Sequence, residues 1–330
     1  TTDEQLADAI VRYIRGCKLG SGSCVDRGDG QKLRDSFQSN PIVVGPPNAA
    51  LRNGTYREFV RRYKHRKRVI YAGSNGGFVH GFNAGEYDTA GMPLAYDRGT
   101  GAEEFGFMAY PARQNIAELP KDTPPRDYYF MDGSPSAADI WLPTGTTEEP
   151  ADGTWNDWRT VLIGGMRQGG RAVWALDVTN PPDHDSASGA QATGPDYPSY
   201  LWEFPCEASS CDAWRPYMGE TWSQPVITRV KASVNCGDES TWANCGTYDR
   251  WVAIFGGGYD VSGDPNMPHG DPGGTIAAGE YDPGTDSDTL LAGRALFMVD
   301  IATGEVLAAK RFQHDGTAGD PDDGEPGMQY

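Results

Sequence analysis

Apolar and polar positions change period once along this chain, and the change comes early. From Glu4 to Ile14 the apolar residues Leu6, Ile10, Tyr13 and Ile14 fall at helical spacing, and Gly16 follows. That pattern predicts one short amphipathic helix stopped by a glycine. The stretch from Ser21 to Gly30 is a linker rich in Gly and Asp. Beyond it, helical periodicity is nearly absent. Short apolar runs bounded by glycine and proline replace it, and such runs predict β-strands.

The runs recur in a fixed order. A proline followed by a β-rich run comes first: Pro41-Ile-Val-Val, Pro135-Ser-Ala-Ala-Asp-Ile-Trp and Pro225-Val-Ile-Thr-Arg-Val. An apolar strand running into glycine comes second: RVIYAG before Ser74, TVLIGG before Met166 and RWVAIFGG before Gly258. The third is a strand ending in Asn or Asp: GGFVHGFN to Asn83, GGRAVWALD to Asp177 and GRALFMVD to Asp300. A more polar fourth strand is expected from Gly106 to Tyr110, from Tyr200 to Phe204 and from Glu305 to Phe312. Gly73, Gly164 and Gly256 lie 91 and 92 residues apart.

Four strands per repeat with glycine punctuation is the signature of propeller blades. The near-continuous apolar runs of the second and third strands suit burial on both faces, between neighbouring blades. The glycines are expected to end those strands, some with φ > 0. A β-sandwich also has short strands and turns, but its strands would not recur at one interval with matched ends. The expected fold is therefore all-β: a β-propeller with about three blades represented, preceded by a short N-terminal helix. Helix and linker are assigned to residues 1–35 and blades to 36–330, in blocks of about 41–110, 134–205 and 224–313. Propellers close with about four to eight blades. Blades are thus expected to continue beyond this chain, and an uncovered blade edge would favour aggregation.

Charge and composition narrow the function. Formal net charge is −18, with 46 Asp and Glu against 28 Lys and Arg. That balance argues against nucleic acid, which needs a basic surface. The 43 glycines and 24 prolines fit many short strands and turns. No apolar run approaches the ~20 residues that span a bilayer, and Thr1 opens directly into an acidic amphipathic segment with no signal peptide. A mature or excised piece is expected.

The six cysteines fall as three close pairs, Cys17 with Cys24, Cys206 with Cys211, and Cys236 with Cys245. Each pair brackets a short polar loop. Local structural disulfides are expected, each contributing roughly 2–3 kcal/mol by the chain-entropy argument. They imply an oxidising compartment: periplasm, cell surface or secreted. Reduced thiols and a zinc site are the alternatives, though CxxC spacing and nearby histidines are missing.

Candidate chemistry is sparse. Neither GxSxG nor HExxH occurs, and His65, His80, His184, His269 and His314 are scattered. His80 is expected as a packed mid-strand residue. The glycines at 256, 257 and 258 open no helix, so turn geometry and not phosphate binding explains them. Asp260, Asp264, Asn266 and Asp271 share one acidic loop, and Asp282, Asp286 and Asp288 the next. Calcium takes oxygen ligands from such segments. Neither loop fits the EF-hand pattern, nor does the tail Asp320, Asp322, Asp323, Gly324, so solvated carboxylates are the plainer reading. Metal ligands stay unassigned and calcium is the one cofactor kept open. The run Arg61, Arg62, Lys64, His65, Arg66, Lys67 and Arg68 stands out against the acidic whole. It suits a gatekeeper before a buried strand, or a dock for an acidic protein surface or anionic lipid.

Taken in order, IVRYIRG, NPIVVGPP, RVIYAGSNGGFVHGFNA, YYFMDGSPSAADIW, VLIGGMRQGGRAVWALDVTNP, YLWEF and RWVAIFGGGYD resemble the PilC/PilY family of type IV pilus-associated proteins. The resemblance runs from about residue 6 to 313. It implies a quinoprotein-like β-propeller at the pilus tip, outer cell surface or periplasm, acting in pilus assembly, retraction control and adhesion by protein binding, without catalysis. Partners implied are minor pilins or pilus tip proteins, with a host or abiotic surface as a further target. Many family members carry an adhesive region before the propeller and a calcium-binding loop in a later blade; neither is visible here. In such a protein the sequon Asn53-Gly-Thr55 carries little meaning. A pyrroloquinoline-quinone-dependent dehydrogenase is the alternative, because ALFMVDIATGEVLAA, from Ala295 to Ala309, echoes its Asp-x-x-Thr-Gly blade motif. The docking tryptophan expected after Gly304 is absent, and so is the adjacent-cysteine pair.

Overall fold

The computed structural model describes residues 3–18, 33–88, 90, 94–119, 129–142, 154–182, 197–206, 214–233, 247–259, 293 and 295–311. Helix α1 (Asp3–Ile14) occupies the expected segment, and Gly16 follows with φ 89°. The first sheet holds β1 (Ile42–Val44), β2 (Arg68–Gly73), β3 (Val79–Gly85) and β6 (Glu103–Phe107) in that order. A two-stranded ribbon, β4 (Tyr87–Asp88) with β5 (Ala95–Tyr96), is inserted before β6. The second sheet runs β7 (Ser136–Trp141), β8 (Trp158–Gly165), β9 (Val173–Asp177), β10 (Ser199–Phe204). The third runs β11 (Val226–Ser233), β12 (Thr247–Gly256), β13 (Ala295–Asp300), β14 (Val306–Arg311). Every pairing is antiparallel between consecutive strands of the sheet. Each sheet is a four-stranded meander, the form of a propeller blade.

The blades stack face to face, and β8 shows why its sequence is continuously apolar. Leu162 joins the core shared with the first blade, beside Val69, Tyr71 and Val79. Val161 and Ile163 point the other way, into the core shared with Trp251, Phe255 and Phe297 of the third blade. A strand sandwiched between two sheets has no solvent face. Each such residue adds about 1.5–3 kcal/mol of stability by leaving water.

Two expectations need correction. The fourth strand of the first blade lies three residues earlier than Gly106–Tyr110, because helix α3 (Tyr110–Asn115) begins there with Pro111 in its first turn. Proline is well suited to that position and cannot serve a strand ladder. The scarcity of helices beyond the linker is also overturned. Helix α2 (Gly54–Tyr63) is inserted between β1 and β2, capped by Asn53, whose Oδ1 accepts from Thr55 N at 2.8 Å. Its inward residues Tyr56, Phe59, Val60 and Tyr63 follow helical spacing and pack on the second blade, with Tyr56 4.7 Å from the Trp158 ring.

The periodic glycines act through space and not through backbone conformation. None of Gly73, Gly164 and Gly256 has positive φ. A Cβ on Gly73 would come 1.8 Å from Met131 O, and one on Gly164 2.5 Å from Trp174 Cζ2. Inner strand β7 touches both β1 and β11, so the three blades converge on that side. The second-to-third strand turns open on one face, where the segment leading into each next blade lies on the preceding turn. Met131 N donates to Ser74 O at 3.2 Å, and Arg167 N to Thr221 O at 3.1 Å. This turn face is where exposed chemistry collects.

Candidate binding face

The turn face is built from short loops that cross between blades. Asp132 leads into β7 and is almost fully buried. It gathers the segment before β1 by accepting backbone N–H groups of Phe37, Gln38 and Ser39, the Gln38 bond being 3.0 Å. Burial pushes the Asp132 carboxyl above its usual range, while those donors pull it down. Ser39 Oγ donates to Gly133 O at 3.0 Å and accepts from Gly73 N at 2.9 Å. With its backbone fixed this way, Phe37 stands in solvent, 68% exposed.

Arg167 sits at the centre, in the turn between β8 and β9. Its φ is 54°, the left-handed region that an arginine rarely adopts. Such a conformation costs roughly 1–3 kcal/mol and persists where surroundings over-determine it. Its guanidinium carbon lies 4.5 Å from the centre of the Trp222 ring, within cation–π range. Nη1 donates to Gln38 O at 3.4 Å, which ties the second blade's turn to the segment before β1. Nε is buried and has no acceptor.

Trp222 is in turn held from below. Its Nε1 donates to Glu220 Oε2 at 3.1 Å, while Glu220 is only 3% exposed and its Oε1 has no partner. Burial pushes the Glu220 carboxyl up, against the Trp222 bond and the Arg171 charge. The Glu220 and Tyr259 backbones exchange two 2.8 Å bonds across the third blade. Trp222 and Tyr259 are 37% and 43% exposed. This face therefore carries one strained arginine against Trp222, with the exposed rings of Phe37 and Tyr259 on neighbouring segments.

None of these residues stood out in the sequence as functional. The available signals were an arginine set in a turn between two Gly-Gly pairs, GGMRQGG, and a Glu-Thr-Trp step just before Pro225. Segments of this kind carry ordinary turn chemistry.

The residues that the sequence did single out fall elsewhere. The basic run is divided by the structure. Arg61 and Arg62 are exposed on α2, where both pair with Glu58. Arg66 and Lys67 are buried between the first two blades, so neither the gatekeeper nor the docking role fits them. Arg66 Nε donates to Gly45 O at 2.9 Å and Nη1 to Thr160 Oγ1 at 2.7 Å. Lys67 Nζ meets Glu104 and Glu86, each at 3.1 Å. His80 is packed mid-strand on β3, between Ser74 Oγ and Glu103.

Of the expected disulfide cysteines, Cys17 and Cys206 lie among the described residues, and neither is a free thiol. Cys24, Cys211, Cys236 and Cys245 lie outside them, as do His184, His269, His314, the acidic loops from Asp260 to Asp288 and the tail carboxylates. Among the described residues no group of three His, Cys, Asp or Glu side chains could hold a metal, and no helix is long and apolar enough to cross a membrane.

Gly304 is covered by a side chain of the neighbouring blade. Trp202 of β10 lays its ring on Gly304, and its Nε1 donates to Ile301 O at 2.9 Å.

Comparison with known proteins places this architecture. Residues 33–192 match the model of the PilY1 beta-propeller domain. These findings support the PilC/PilY family. It is 27% identical over 241 residues to type IV pilus biogenesis factor PilY1 of Pseudomonas aeruginosa strain UCBPP-PA14, covering 70% of this chain and 16% of that protein. A PilY1 homolog of Xylella fastidiosa is 30% identical over 185 residues, covering 52% of this chain and 13% of the relative. Another from the same organism is 25% identical over 336 residues, covering 96% and 16%. The crystal structure of the Pseudomonas aeruginosa PilY1 C-terminal domain superposes with a TM-score of 0.42 at 20% identity, covering 82% of this chain and 37% of that one. The chain spans 16% of the length of the first of these relatives. Within the PilC/PilY family this segment is propeller, and its blades carry the turn face described above.

Proposed function

We propose that this chain is a binding module of a type IV pilus system, supporting pilus assembly, retraction control and surface adhesion through protein contacts. Minor pilins or pilus tip proteins are its partners, with a host or abiotic surface as a further target. It works outside the cytoplasm, at the pilus tip, outer cell surface or in the periplasm. The observation carrying this reading is the PilY1 beta-propeller match over residues 33–192, together with relatives named type IV pilus biogenesis factors.

The turn face supplies the recognition surface. Loops on a rigid scaffold are where binding residues concentrate, and exposed aromatics beside arginine are the residue types that dominate interfaces. Local pairs Cys17–Cys24, Cys206–Cys211 and Cys236–Cys245 limit loop freedom. Neither described cysteine being a free thiol supports this.

Co-purification with sheared pili, read by mass spectrometry beside a strain lacking the protein, tests the reading. Association with pili and lost or unstable piliation in the deletion are expected. Normal pili with no associated protein would overturn it.

A further inference from the structure

Arg167 is a cation that the turn face leaves without an anion. Among the described residues no carboxylate forms an ion pair with it, in a protein that carries 46 acidic residues. Two acids of the turn face are already committed. Asp132 feels the Arg167 charge but is spent on three backbone N–H groups. Glu220 holds Trp222, and burial favours its neutral form. The guanidinium is meanwhile fixed in place by its stacking on Trp222 and its reach to Gln38 O. One long hydrogen bond leaves most of its donors unused, Nε among them.

We propose that Arg167 is a receptor for a single carboxylate on a protein partner, either an acidic side chain or a terminal carboxyl group. A planar guanidinium matches a carboxylate with two parallel N–H···O bonds. Stacking on Trp222 holds the fork rigid, so little freedom is lost when the anion arrives. A monoanion also suits the charge of the site. A phosphate dianion would exceed the single charge of the Arg167 guanidinium, whereas a carboxylate is matched one to one. The exposed rings of Phe37, Trp222 and Tyr259 suit apolar neighbours on either side of the acidic group, which favours a peptide over a small free acid.

The inference rests on the turn face being the binding face, and it is tested on the purified whole protein without pili. Proton–nitrogen correlation spectra follow the buried Arg167 Nε–H during titration at constant ionic strength. The probes are acetyl-Ala-Glu-Ala-amide, acetyl-Ala-Gln-Ala-amide, and acetyl-Ala-Gln-Ala with a free terminal carboxylate. A saturable downfield shift is expected from the first or the third, and their comparison tells an acidic side chain from a terminal carboxylate.

The neutral peptide should give no shift. Arg167→Lys, which keeps the charge and loses the fork, should bind at least about tenfold more weakly. Arg167→Gly relieves the left-handed backbone and so retains the fold; it should abolish the shift of the Trp222 Nε1–H resonance expected from the carboxylate in the native protein. Equal shifts from the neutral peptide would overturn the proposal. So would undiminished binding by Arg167→Gly, or no saturation up to about 50 mM, beyond the weak millimolar range. Carboxylate binding by a protein that fails to co-purify with pili would leave this site standing and remove only the pilus reading.

Discussion

Trp202 of the second blade packs its indole on Gly304 of the third, where a Cβ would come within 2.9 Å of the ring carbon Cγ. The same indole donates to Ile301 O at 2.9 Å, so one side chain both fills and satisfies the blade junction. Trp202→Phe keeps most of the packing but leaves a buried carbonyl without its donor, a loss of about 1–3 kcal/mol. Trp202→Ala adds a cavity and should cost about 3–5 kcal/mol. Urea denaturation would show this ordering. Equal midpoints for the native protein and Trp202→Ala would mean that the junction contributes nothing to stability.

The same pair shows how far the sequence could be read. Strand after strand was legible because two-sided burial demands continuous apolar runs, as in the segment around Leu162, and because glycines mark the strand ends. The role of those glycines was less visible, since the need at Gly73 comes from Met131 O, a backbone atom 58 positions away. No local pattern encodes such a contact. Helix α2 was legible in principle, for Tyr56, Phe59, Val60 and Tyr63 keep helical spacing, but the charges between them obscured it. The binding face was the least visible part. Arg167, Trp222 and Glu220 belong to two different blades and meet only once the sheets are stacked.

Arg66 and Arg61 stand in one basic run yet should behave oppositely. Arg66 reaches Gly45 O, Thr160 Oγ1 and Thr179 O, and Asp139 accepts from Thr160 Oγ1 at 2.6 Å. Burial lowers the Arg66 pKa, and the Asp139 charge opposes that shift. Arg66→Met would leave the Gly45 and Thr179 carbonyls without their donor and remove the charge that faces Asp139, which keeps its bonds from Tyr56 and Thr160; the cost should be about 2–5 kcal/mol. Arg61, 72% exposed at its side chain, should tolerate Ala within about 0.5 kcal/mol. Thermal unfolding of the two variants side by side checks the contrast.

Alanine at the three periodic glycines should be graded by what its Cβ would meet. At Gly73 the obstacle is backbone at 1.8 Å, at Gly164 the Trp174 ring at 2.5 Å, and at Gly256 the Ser223 hydroxyl at 2.9 Å. Backbone cannot yield without parting two blades, whereas the serine can rotate. Gly73→Ala should therefore cost most, at or above the usual ~1–3 kcal/mol for overpacking, and Gly256→Ala least. Chemical denaturation with purified variants would reveal the order, and a Gly256→Ala variant less stable than Gly73→Ala would contradict it.

Glu220 should make the fold weaker as pH rises, opposite to the usual carboxylate. Burial raises its folded pKa above the ordinary glutamate value, and the Trp222 bond and the Arg171 charge oppose this shift. The folded protein thus holds this proton more tightly than the unfolded one. Below the ordinary value both states are protonated and the stabilisation is fully present. Between the ordinary value and the raised one, the unfolded state binds fewer protons, so unfolding stability falls with increasing pH. Glu220→Gln keeps a carbonyl acceptor for Trp222 Nε1 and cannot ionise. It should match the native protein below the ordinary glutamate value and exceed it at neutral pH, with a flatter profile between. Denaturation midpoints of both proteins from acidic to neutral pH decide the matter, and parallel profiles would show that the Glu220 proton is not linked to folding.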